Sequence, residues 1–228
     1  IKAAKYVWGK KAYEKGNVVI LNNAIDTNLF QFNVEMREQK RKELGFNNNE
    51  IVIGNVGRLT AQKNQLRILD IFNEIHKKNS TAKLVLVGRG DQEKDVEEKI
   101  KALNLSENVI LLGVRTDVPQ LLNAFDVFLF PSLYEGLPFT LVECQSNGLP
   151  ALCSDTITQE IKILDTTLFL SLERTNEEWA SKTLELAQLG HNSMGNKKVM
   201  EAGYDLNIEA QRLKEYYLKC IKDMMNNV

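Results

Sequence analysis

Glu135 and Glu143 bracket Gly136, Leu137, Pro138, Phe139, Thr140, Leu141 and Val142, and this stretch is where residue spacing dictates a chemistry. The apolar run at 125–131 before it is short enough for a strand buried on both faces, which delivers Glu135 to a strand's carboxyl end. Pro138 suits a first helical turn, where a missing N–H costs nothing, and Leu141, Val142, Cys144 and Leu149 suit a packed helix. The helix therefore starts between the two glutamates and leaves the N–H groups of Phe139 to Leu141 without partners inside it. Those donors and the helix dipole, worth roughly 0.3–2 kcal/mol, favour a bound phosphate. A carboxylate accepts hydrogen bonds from a vicinal pair of hydroxyls. Two carboxylates flanking a diphosphate cradle match a sugar nucleotide, which has one hydroxyl pair on the ribose and another on the sugar. The bland alternative, two solvated glutamates, fits most pairs at this spacing but does not explain a pair that brackets a strand end, a turn and a helix start.

A second cluster has the same address. Residues 51–56 read as an apolar strand, Gly57 permits close backbone approach at its carboxyl end, and Arg58 and Lys63 extend into the same crevice. Arginine offers phosphate oxygens a planar fork and lysine a point charge, at about 1.5–3 kcal/mol per charge-assisted bond. The same charge stabilises a departing diphosphate.

Stepping from these residues to the elements that hold them, strands are expected near 51–56, 83–88, 108–112, 126–130, 150–153 and 167–170. Helices are expected near 64–79, 91–103, 117–125, 138–148, 176–190 and 206–225. Alternation of this kind predicts an α/β fold, a doubly wound, Rossmann-like parallel sheet of six strands covered on both faces. Gly57, Gly88, Gly113 and Glu135 all follow strands, so the candidate ligand groups gather at the carboxyl edge, where open α/β sheets bind ligands.

Two motifs here carry a family resemblance. Glu135-Gly-Leu-Pro-Phe-Thr-Leu-Val-Glu143, together with Gly54-Asn-Val-Gly57-Arg58-Leu59 followed by Lys63-Asn64, resembles family 4 of the retaining glycosyltransferases, a GT-B group. Asn22-Asn-Ala-Ile-Asp26 resembles that family's hinge between acceptor and donor domains, and Gly203-Tyr-Asp205 with the final helix through Tyr217 its tail, so the likeness covers nearly everything after residue 17. It implies that residues 1–22 are a tail of the acceptor domain and that 23–228 are the nucleotide-sugar donor domain, the carboxyl half of the enzyme. It further implies Glu135 on sugar hydroxyls, the amides of Gly136 to Leu141 on sugar and phosphate oxygens, Arg58 and Lys63 on the diphosphate, Glu143 on the ribose, and Val114 and Arg115 beside the base. Glu143-Cys-Gln-Ser-Asn-Gly-Leu-Pro150 departs from the commoner Glu-Ala-Met-Ala-x-Gly wording and most resembles capsule and exopolysaccharide enzymes. The expected partners are a nucleotide-sugar donor and, through the missing amino-terminal domain, a saccharide or lipid-linked saccharide acceptor. A fragment of this kind is expected to bind donor weakly and to transfer sugar poorly. Two other readings fit the same architecture: a nucleotide-sugar epimerase, which needs no acceptor, and a non-catalytic nucleotide-sugar-binding module working with a partner chain.

The remaining features narrow the class. Twenty-nine basic against 30 acidic residues and 43% apolar residues describe a chain able to bury one large core, and the balance gives no reason to expect nucleic acid. No run approaches the ~18 apolar residues of a membrane span and no secretory signal stands at the start, so a cytoplasmic location is expected, with the full-length enzyme peripheral at the membrane's inner face. Lys2, Lys5, Lys10, Lys11 and Lys15, which precede the apolar stretch 18–21, read as a solvated face. Cys144, Cys153 and Cys220 read as buried free thiols, and His76 and His191 as surface or capping residues. Gly88-Arg-Gly90 is only a fragment of a dinucleotide fingerprint, no P-loop exists, and no two aspartates lie two positions apart, so neither a cofactor nor a metal is expected. Asn79-Ser-Thr81 and Asn104-Leu-Ser106 fit a glycosylation sequon that recurs by chance.

Overall fold

The computed structural model describes residues 6–15, 19 and 21–226. Its strands are β1 (Val52–Val56), β2 (Lys83–Val87), β3 (Val109–Gly113), β4 (Val127–Phe130), β5 (Ala151–Ser154) and β6 (Thr167–Leu170). Its α-helices are α1 (Lys10–Glu14), α2 (Val34–Glu43), α3 (Gln65–Lys78), α4 (Glu93–Ala102), α5 (Val118–Ala124), α6 (Phe139–Ser146), α7 (Asn176–Leu186), α8 (Gly195–Glu201) and α9 (Leu206–Asn226). All six strands form one parallel sheet in the order β3-β2-β1-β4-β5-β6. The expected α/β fold is the observed one, and every expected strand is present within one or two residues of its place.

The strands are short and continuous in apolar character because both faces of the sheet are covered. In β4, Val127, Phe128, Leu129 and Phe130 are all fully buried. On one face, Ile68, Leu69, Phe72 and Ile75 of α3 pack with Ile53, Leu84, Val127 and Leu129 of the sheet and with Trp179 and Ala180 of α7. The Trp179 indole N–H donates to the Ser171 carbonyl at 3.1 Å, so the largest core side chain leaves no polar atom unpaired.

Two helices in this region were not expected. The sequence of α2, VEMREQKRKE, has no apolar stripe, and its buried residues are Lys40 and Arg41. Hydrogen bonds and ion pairs hold it instead. The Arg41 guanidinium donates to the carbonyls of Ala124, Asn47 and Glu50 and pairs with Asp126 at 3.2 Å. Arg37 also pairs with Asp126, whose other oxygen accepts the Val52 N–H at 2.7 Å and so ties the start of β1 to the start of β4. The second unexpected helix, α8, has seven residues, too few to show a period.

The chain divides into two compact units, residues 27–202 and a smaller one from residues 1–26 and 203–228. In the smaller unit the Ile25 N–H donates to the Tyr204 carbonyl at 2.9 Å and the Leu206 N–H to the Ile25 carbonyl at 2.8 Å. Asp205 accepts the N–H groups of Asn207 and Ile208 at 3.0 Å each, capping α9. Lys2, Lys5 and two residues of 18–21 lie outside the described residues, while Lys10, Lys11 and Lys15 are exposed. No helix among the described residues is long and apolar enough to cross a membrane.

Three side chains differ from expectation. His191 is not a surface group: it stacks on Phe32 at 4.0 Å between ring centroids, and burial first, then the Arg37 charge, lowers its pKa to about 4. His76 is half-buried, with Nδ1 enclosed. Cys144 and Cys153 are buried, and desolvation raises both thiols, but Cys220 is half-exposed.

Candidate functional site

β1 and β4 are neighbours in space but far apart in sequence, so the winding of the sheet reverses between them. Their carboxyl ends flank the crevice at this switch point. Loop 57–64 leaves β1 and loop 131–138 leaves β4, and several hydrogen bonds stitch the two together. The Leu133 N–H donates to the Gln62 carbonyl at 2.8 Å, Gln62 Nε2 to the Tyr134 carbonyl at 2.9 Å, and Asn64 Nδ2 to the Pro131 carbonyl at 3.0 Å. Asn64 adopts a left-handed conformation (φ 61°), which an asparagine tolerates, and so turns the chain into α3. Fully buried Gln65 donates to the Arg58 carbonyl at 2.9 Å and so fixes the backbone that carries Arg58.

The β2 loop locks onto the same structure. The Leu59 N–H donates to the Arg89 carbonyl at 3.1 Å, and the Gln92 N–H donates to the Leu59 carbonyl at 3.0 Å. A Cβ on Gly88 would lie 2.0 Å from the Gly57 carbonyl oxygen, and one on Gly90 would lie 2.1 Å from that of Leu59. These two glycines let three strand-end loops touch.

The stitching sets the charges. Lys63 Nζ lies 2.7 Å from Glu135 Oε1, with their side chains only 18% and 8% exposed, and 4.8 Å from the Phe130 ring centroid. Gln62 Nε2 is 3.5 Å from the other Glu135 oxygen. The Lys63–Glu135 pair therefore stands pre-ordered across the crevice, with acceptor capacity left on the carboxylate and donor capacity on the ammonium. Arg58 is exposed and has no side-chain partner among the described residues.

Behind Gly136 and Leu137, Pro138 occupies the N-cap of α6, one position before the helix proper. The Leu141 N–H is not free, as expected, but donates to the Pro138 carbonyl at 2.9 Å, because the first turn tightens to an i→i−3 bond. Phe139 and Thr140 keep unpartnered N–H groups at the crevice. Glu143, one turn along, is half-buried with no partner among the described residues, and desolvation raises its pKa. An unpaired carboxylate in such a place favours a ligand that brings hydrogen-bond donors.

Val114 and Arg115 stand apart from this cluster. They follow β3, three strand spacings or about 14 Å from β4. Val114 is 75% exposed. The Arg115 fork is occupied: Nε lies 2.7 Å from Asp117 Oδ1, the terminal nitrogen hydrogen-bonds Asp117 Oδ2, and Glu43 lies 3.6 Å away. Arg115, then Lys40, holds the Asp117 carboxyl far below the usual carboxylate range. Gln62, Asn64 and Gln65 were not singled out from sequence, although Thr60-Ala-Gln-Lys-Asn-Gln65 packs unusual amide density between a strand and a helix. No group of three or more potential metal ligands occurs among the described residues.

The sequence matches the family described as glycosyl transferases group 1 over residues 36–185. It is 32% identical over 206 residues to the Bacillus subtilis (strain 168) protein EpsF, covering 89% of this chain and 54% of EpsF. It is 30% identical over 217 residues to the amylovoran biosynthesis glycosyltransferase AmsD of Erwinia amylovora, covering 95% of this chain and 56% of AmsD. The chain thus spans about half the length of these curated relatives. Among solved structures, Anabaena HepE in complex with UDP-glucose superposes with a TM-score of 0.72 at 22% identity, over 88% of this chain and 57% of HepE, which shows a common fold. A six-stranded sheet with this site at its switch point, matched over most of its length, belongs to the glycosyl transferases group 1 family.

Proposed function

We infer that this chain is the donor-binding half of a retaining glycosyltransferase that moves a sugar from a nucleoside diphosphate sugar to a hydroxyl acceptor in bacterial surface polysaccharide synthesis. The observation that carries this reading is the Lys63–Glu135 pair, held across two stitched loops beside unpartnered Arg58 and the free N–H groups of α6. Arg58, Lys63 and those amides supply the positive field that a diphosphate needs as ground-state ligand and as leaving group, so a metal is not required for charge neutralisation. Glu135 accepts from the sugar hydroxyls and Glu143 from the ribose, while the exposed chain at Val114 lies along the sheet edge on the base side. Polysaccharide synthesis is the role that the name of AmsD records for AmsD. The relatives' other half is the natural home for the acceptor, whether saccharide or lipid-linked saccharide, and the cytoplasmic face of the membrane is where nucleotide sugars are available.

Calorimetric titration with uridine, guanosine and adenosine diphosphates and their sugar conjugates tests the reading. Selective binding that falls about tenfold or more in Arg58→Ala, the loss of one charge-assisted bond, is the expected result. If neither this chain nor the full-length protein binds any nucleotide, the donor reading is wrong.

A further inference from the structure

Two adjoining cavities lie away from the donor crevice. One, of about 390 Å³, lies between residues 28–36 and one face of α5. The other, of about 180 Å³, lies between Gln31, Phe32, the end of α6 and the turn before α8. Gln31 and Phe32 line both. The cavities lie toward the amino edge of the sheet, because α6 starts at the donor crevice and runs about 12 Å before it reaches Asn147.

Charge is missing from this lining. Charged residues make up 26% of the chain, yet none lines either cavity; most of the lining side chains are asparagine or glutamine. A phosphate, a carboxylate or a metal would find no counter-charge there. Carboxamides donate and accept, which is what a ligand built of hydroxyl groups needs. Phe32 is half-buried between the two spaces, and the stacked His191 ring backs it. The aromatic surface left over suits the C–H face of a sugar ring.

Unmet acceptors point the same way. Asn147 is 1% exposed; its Nδ2 donates to the Phe30 carbonyl at 3.3 Å while its Oδ1 has no partner. Gln120 Oε1, on the α5 wall of the larger cavity, is also enclosed and unpartnered. Each buried acceptor left unmet costs about 1–3 kcal/mol, which a hydroxyl donor would recover. The larger cavity lies within the range of about 300–1,000 Å³ that small-ligand sites occupy.

We propose that these cavities form a second, non-catalytic site that binds a neutral saccharide unit, with Gln31, Gln120 and Asn147 on its hydroxyls and Phe32 on its apolar face. The site rests on its own geometry and not on the donor reading. In a chain that builds polysaccharide, it would hold a segment of glycan away from the reacting end.

The test is an amide-resolved NMR titration with glucose, galactose, mannose and N-acetylglucosamine, with glucuronic acid as the charged control and uridine diphosphate as the probe of the crevice. Neutral sugars are expected to shift amides clustered in 28–36, 119–123 and 192–196, with or without the nucleotide. Gln31→Ala with Gln120→Ala is expected to weaken that response about tenfold while leaving the rest of the spectrum in place. The site is overturned if none of the four neutral sugars shifts those amides, if shifts fall only at the β1 and β4 loops, if the double variant responds like the parent, or if glucuronic acid binds as well. Silence toward uridine diphosphate would count against the donor reading alone.

Discussion

At the scale of single residues, the candidate site holds one carboxylate that is paired and one that is not, and the two should respond oppositely to neutralisation. Glu135→Gln removes the partner of Lys63, whose side chain is only 18% exposed, and leaves an ammonium that still meets a diphosphate. Binding of the bare nucleoside diphosphate should then persist while the extra affinity of the sugar conjugate disappears, which calorimetry separates. Glu143→Gln removes a half-buried charge that has no partner. That variant should melt about 2–4 °C higher, the equivalent of roughly 1 kcal/mol in a domain of this size, yet bind the nucleotide more weakly. A higher melting temperature with unchanged nucleotide affinity would refute the ribose role of Glu143. These two glutamates, Arg58 and Lys63 were legible in the sequence because their types and spacing state a chemistry. Gln62, Asn64 and Gln65 were not, because their work is to hold backbone carbonyls across a gap that only the fold closes.

At the scale of elements, legibility followed the source of each element's stability. The six strands and α3, α4, α6 and α7 announce themselves through apolar runs or stripes, since burial drives them. α2 carries no such stripe, being held by Arg37, Arg41 and Lys40 on Asp126, Asp117 and backbone carbonyls, and side-chain period cannot report an ionic clasp. Asp126→Ala should therefore be among the more damaging single changes. It strands Arg41, whose side chain is 3% exposed, and frees the Val52 N–H, at a cost of about 3–5 kcal/mol, read as a fall in the denaturation midpoint. Loops are similarly constrained: Gly90→Ala places a methyl group 2.1 Å from the Leu59 carbonyl oxygen and must push the β2 loop off the β1 loop. Loss of nucleotide affinity with the sheet intact by circular dichroism is the expected result. Arg115 shows the limit of reading a residue by position, since a nearby Asp117 takes up the fork that a base would have used.

At the scale of the whole molecule, acid should unfold the chain through His191. The unfolded imidazole takes up a proton below about pH 6.5, but the folded one does so only near 4. Stability is therefore complete above 6.5 and is lost as pH falls through that window, by an amount on the order of 3 kcal/mol. His191→Gln should flatten this dependence in denaturation experiments between pH 4 and 7. The strand order has a different consequence, which concerns synthesis. Chain order makes β1, β2 and β3 before β4, although β4 is the neighbour of β1. Arg58 and Lys63 therefore leave the ribosome more than seventy residues ahead of Glu135, as a cationic loop with no counter-charge. Until β4 docks, the half-made sheet presents an open edge and a phosphate-seeking patch to the polyanionic surface from which it is emerging, so any pause in translation between residues 113 and 127 would favour sticking over folding.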